Sequence, residues 1–111
     1  MFKSSLTLAS AAVTLAFASV APAHAAVDAA AAEALFKDNK CTKCHAPDKT
    51  KTGPSLKSIA AEHKGKADAQ DKLVKQISTG PKLKDGSADH PKVGSTDPKA
   101  LKNMADWILA Q

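Results

Sequence analysis

The chain has 111 residues, 43% hydrophobic and 24% charged, with a formal net charge of +5. That length allows one domain around a small core and excludes a multidomain architecture. Every Lys+Arg residue is a lysine and only 4% of residues are aromatic, so the arginines and stacking rings of a nucleic-acid reader are missing.

The N-terminus reads as an export signal. Met1-Phe2-Lys3 starts with a positive charge, residues 6–20 are almost wholly apolar or small, and Ala23-His24-Ala25 is a small-x-small cleavage site. This is the pattern of a secretory signal peptide, and its apolar stretch is short for a membrane span. Cleavage is expected after Ala25. The chain then divides into a leader, 1–25, and one domain, 26–111, without stable membrane insertion of the mature chain. In a bacterium the destination is the periplasm.

A first helix is predicted from about Asp28 to Lys40, with Asp28 as cap and Ala32, Leu35 and Phe36 on one face. It runs into Cys41-Thr42-Lys43-Cys44-His45. A Cys-x-x-Cys-His run is a c-type haem attachment site. Two thiols at this spacing each add to one haem vinyl group, and the histidine that follows is held against the iron as its proximal ligand. A thioredoxin-like pair needs a βαβ context, and none is visible. A zinc site needs a second ligand pair. The chain has two cysteines, and His24, His63 and His90 lack paired metal-ligand spacing.

Beyond Gly53-Pro54, a second helix is predicted over Leu56–His63, with Leu56, Ile59, Ala60 and His63 at i, i+3, i+4 and i+7. Gly65 ends it. A third covers about Ala69–Ser78, with Asp68 as cap, Leu73, Val74 and Ile77 inward, and Gly80-Pro81 as the stop. A fourth opens at Asp97-Pro98, a cap followed by proline at the first helical position. It runs to about Ala110 and carries Leu101, Met104, Ala105, Trp107 and Ile108. No segment alternates with strand period, so the fold class is all-α. The long loop between Thr79 and Thr96, rich in glycine and proline, is where a second iron ligand belongs.

These features together resemble a class I c-type cytochrome of the small bacterial c551/c552 type. The carriers of the resemblance are Leu35-Phe36 before the haem motif, Gly53-Pro54 after it, and Trp107-Ile108-Leu109 in the last helix. The resemblance implies about four helices around one covalently attached haem c. Cys41 and Cys44 would form the thioethers and His45 the proximal bond. The Pro54 carbonyl would accept the His45 N–H, and Phe36 would pack on Trp107. The family's usual sixth ligand is a methionine in the loop before the last helix. Here that loop has none, and Met104, inside the last helix, sits at the spacing of a core residue. His90, followed by Pro91, stands where the loop methionine falls. The resemblance therefore implies a His45/His90 iron, with His63, a loop lysine such as Lys84 or Lys92, or an open position as alternatives.

The expected function is one-electron transfer between redox proteins by a periplasmic monomer. No catalytic constellation points to an enzyme. The lysine excess would favour partners with acidic docking surfaces. A haem-based ligand-binding or sensor protein, with a displaceable or absent sixth ligand, is the alternative.

Overall fold

The structure is a computed structural model and describes residues 26–111; the expected leader lies outside the described residues. Four α-helices follow in order, α1 (Ala29–Asp38), α2 (Leu56–His63), α3 (Ala69–Thr79) and α4 (Pro98–Leu109), with a single 3₁₀ turn at Cys41–Lys43. Among the described residues there is no strand, only isolated bridges at His45–Thr50 and Lys82–Asp89. None of their helices is long and apolar enough to cross a membrane.

Local chemistry accounts for the helix boundaries. The alanine run opening α1 has the highest helix propensity, and Asp28 Oδ1 accepts the Ala31 N–H at 3.0 Å. Asn39 ends α1 two residues earlier than expected. Its backbone N–H donates back to Leu35 at 3.2 Å, the Lys40 N–H donates to Lys37 at 2.9 Å, and Lys40 turns left-handed at φ 58°. Ser55 caps α2 through the Ser58 N–H, and Asp97 caps α4 through the Lys99 N–H. Asp68 takes the cap position of α3, but its side chain caps nothing. Its backbone (φ −95°, ψ 8°) lacks the extended geometry that aims a cap side chain at the first turn, and its carboxylate instead meets Lys72 at 3.3 Å.

Helix α4 is the hub, packing on α1, α2 and α3. The core joins Phe36, Leu56, Leu73, Ile77, Val93, Leu101, Met104, Ala105 and Ile108. Phe36 and Trp107 meet edge to face where α1 crosses α4, with centroids 5.5 Å apart. Asn103 ties the ends of these helices, accepting the Asp28 N–H at 2.8 Å and donating to the Asp28 carbonyl at 2.9 Å. Gln70 ties α3 to α4 through the Asp106 carboxylate. Asn39 links the end of α1 to the loop before α4 by accepting the Gly94 N–H at 2.8 Å.

Candidate functional site

The 3₁₀ turn brings the cysteines and His45 together. Cys44 and His45 both donate backbone N–H groups to the Cys41 carbonyl, at 3.2 and 3.0 Å. Both thiols are free and partly buried. Burial pushes the Cys41 thiol above its ordinary pKa, the neighbouring Cys44 adding to the rise while a backbone hydrogen bond opposes it. Cys41 also packs against the core cluster.

His45 is held from two directions. Its Nδ1 lies 2.7 Å from the Pro54 carbonyl oxygen. A carbonyl only accepts, so Nδ1 carries the proton and Nε2 keeps its lone pair. Gly53 lies against the ring itself: a Cβ there would stand 2.7 Å from His45 Cε1. The 53–54 segment is fixed in turn by the Gly53 N–H donating to the Cys44 carbonyl at 2.8 Å. A cavity of about 240 Å³ borders His45, walled by Phe36, Leu56, Pro47 and Trp107.

The loop from Gly80 to Gly94 carries His90 to this site. It is braced as a narrow hairpin. Leu83 donates to Ala88 at 2.9 Å, Gly86 to Leu83 at 2.8 Å and His90 to Pro81 at 2.9 Å. At the hairpin tip Asp85 accepts from the Ser87 N–H and hydroxyl, which holds its carboxyl below the usual aspartate pKa. Val93 donates to the Ile77 carbonyl at 2.7 Å, stitching the returning segment to α3. The His90 ring ends 6.2 Å from the His45 ring, tilted by 39°. His90 Nδ1 is tied at 2.8 Å to the Pro91 carbonyl, so Nε2 is again the nitrogen with a free lone pair.

The residues present fit a haem. An imidazole nitrogen bonds a transition-metal ion at about 2 Å and lies about 1 Å from its own ring centre, so two imidazoles across one iron have centroids about 6 Å apart. The observed 6.2 Å matches. Each ring offers Nε2 and donates Nδ1–H to a carbonyl, the arrangement that orients a metal-bound histidine.

The other candidates lie elsewhere. His63, at the end of α2, lines a different cavity with Ala60, Ala69 and Leu109, which shares no residue with the one at His45. Met104 is buried in the core at 1% exposure. Lys84 is almost fully exposed and points toward Glu62 at 3.9 Å. Lys92 packs its stem over Gly80. Two contacts at the site leave no mark in the sequence pattern. Gly80, read there as a helix stop, abuts the His90 carbonyl, and Asn39 holds the following loop. Both join residues distant in sequence.

An all-α domain that presents a Cys-x-x-Cys-His turn and a histidine braced across from it defines a haem protein of the class I c type. The cytochrome c family model matches residues 29–111. Cytochrome c-551 of Pseudomonas aeruginosa is 35% identical over 79 residues, covering 71% of this chain and 75% of that protein. Cytochrome c-552 of Nitrosomonas europaea is 37% identical over 78 residues, covering 68% and 73%. Among solved structures, class 1 cytochrome MtoD from Sideroxydans lithotrophicus ES-1 is 45% identical with a TM-score of 0.70, covering 77% of this chain and 97% of that one. The chain belongs to the cytochrome c family, and its cofactor is one covalently attached haem c. It is a monohaem electron-transport protein of the class I fold.

Proposed function

We propose that this protein is a periplasmic one-electron carrier whose haem iron is bound by His45 on one side and His90 on the other, with Cys41 and Cys44 as the thioether anchors. The observation that carries the reading is the 6.2 Å separation of the two imidazoles. Haem supplies a one-electron iron couple. The chain's own residues keep the two ligands still. Pro54 and Gly53 hold His45, and the braced hairpin holds His90. Ligands that stay in place through oxidation and reduction favour exchange of electrons over capture of a small molecule.

The leader pattern at 1–25 supports export to the periplasm. Among the described residues Val27 is the one exposed large hydrophobic, at 39%, which favours a monomer. The excess of lysine over acid supports docking on redox partners with acidic faces, with association rates that fall as ionic strength rises.

The test is the ferric absorption spectrum of the wild type beside a His90→Ala variant, with carbon monoxide added to each after reduction. The wild type is expected to be low-spin and indifferent to carbon monoxide. The variant loses the low-spin spectrum and binds the gas at once. A prompt carbon monoxide response in the wild type would reject the carrier reading in favour of a ligand-binding haem protein.

A further inference from the structure

Gly80 occupies a position that its role as a helix stop does not explain. It ends α3 with φ 58°, and its N–H donates to the Gln76 carbonyl. That alone is a common glycine cap. What sets it apart is crowding. A Cβ built on Gly80 would stand 2.3 Å from the His90 carbonyl oxygen and 2.9 Å from Lys92 Cγ. The His90 carbonyl and the stem of the Lys92 side chain therefore lie directly on Gly80. Two other glycines with positive φ, Gly65 (76°) and Gly86 (72°), have nothing within 4 Å of the same point.

The surrounding bonds make this contact decisive for His90. Its N–H is fixed to Pro81, next to Gly80, and Val93 is fixed to Ile77 in α3. The segment between these anchors has little room to retreat. A side chain at position 80 meets backbone, which does not swing aside as the end of a flexible side chain would. The displacement falls on the residue whose ring faces His45.

We infer that Gly80 is a positioning residue for the distal haem ligand: its lack of a side chain lets the His90 backbone close onto the end of α3 and bring the imidazole within reach of the iron. The inference rests on the reading of His90 as the sixth ligand. Gly80 acts through His90.

The capping and positioning roles are separable because asparagine tolerates the left-handed conformation but carries a Cβ. Gly80→Asn keeps the cap and introduces the crowding. Gly86→Asn, in the same loop and with open space around it, is the matched control. Both are compared with wild type and His90→Ala as haem-loaded proteins, by ferric spin state and by affinity for added imidazole. Gly80→Asn is expected to lose low-spin character and bind imidazole about ten-fold or more tightly than wild type, because the fraction with an open iron rises. Gly86→Asn stays at the wild-type values. If Gly80→Asn matches Gly86→Asn while His90→Ala loses the low-spin spectrum, Gly80 is only a cap and the inference is overturned with the ligand assignment intact. If His90→Ala keeps the wild-type spectrum, the assignment fails and the inference with it. In the unaltered ferrous protein, NMR is expected to show a Gly80 Hα to Lys92 Hγ contact. Its absence overturns the inference even where the Gly80 variants fail to take up haem.

Discussion

Gly53 packs directly on the ring of His45, so close that a Cβ would stand 2.7 Å from Cε1 and 3.0 Å from Nδ1. The same segment presents the Pro54 carbonyl to Nδ1 at 2.7 Å. Orientation of the proximal imidazole is therefore set by a glycine that gives it room and a proline carbonyl that accepts the hydrogen bond of its Nδ1–H.

This contact yields a first prediction. Gly53 lacks a positive φ, so alanine there meets no backbone strain, only the ring. Gly53→Ala is expected to destabilise the haem-loaded protein by about 1–3 kcal/mol, the usual cost of overpacking, and to weaken the Nδ1–H bond to Pro54. Guanidinium denaturation followed at the haem absorption band measures the first effect. The shift of the His45 Nδ1 proton in the ferrous NMR spectrum measures the second. A variant indistinguishable from wild type on both would show that the ring has freedom the packing denies it.

A second prediction concerns the potential. Methionine as an axial ligand raises a haem's potential relative to histidine. His90→Met puts that ligand in a hairpin already braced by Pro81 and Ala88. The midpoint potential is expected to rise by an amount on the order of 0.1 V. Spectroelectrochemical titration of both proteins checks it, and equal potentials would count against His90 as the ligand.

Met104 separates packing from ligation. It is 1% exposed within the core, beside Leu101, Ala105 and Ile108 on α4. Met104→Ala is expected to cost about 2–5 kcal/mol and Met104→Leu less than about 1.5 kcal/mol, with the haem spectrum unchanged in both. Loss of the low-spin spectrum in Met104→Leu would move the sixth ligand to Met104.

The hairpin tip carries a pH dependence. The Ser87 N–H and hydroxyl both donate to Asp85 and hold its carboxyl below the ordinary aspartate pKa. A depressed value in the folded state means stability that is present above the unfolded value, about 3.9, and lost as pH falls through the folded one. The His90 hairpin should thus keep its tip intact through mildly acidic conditions. An NMR titration of the Ser87 amide is expected to give a midpoint below 3.9. A midpoint at or above that value would mean the tip is open in solution.

Much of this molecule is legible in the chain itself. The Leu56–His63 helix emerges from the spacing of Leu56, Ile59 and Ala60, and its observed bounds are the same. The caps at Asp28 and Asp97 bond backbone groups within three residues. Asp68 shows the limit of such reading. Its residue type and position suit a cap, but the turn entering α3 aims its carboxylate at Lys72. The ending of α1 at Asp38 likewise depends on Asn39, whose side chain is engaged with both Leu35 and Gly94.

For the haem site the division is sharper. By itself the sequence determined the attachment motif, the helical periodicity and the export pattern, because each is written in residues adjacent or one turn apart. It also put His90 first as the second ligand, with His63, a loop lysine or an open position as alternatives, and placed Met104 at core spacing. Only the tertiary structure decided which ring stands 6.2 Å from His45 and that Gly80 lies under the His90 backbone. The reason is physical: these relationships join residues far apart along the chain, and they exist only once α4 has gathered the other helices and the hairpin has closed onto α3.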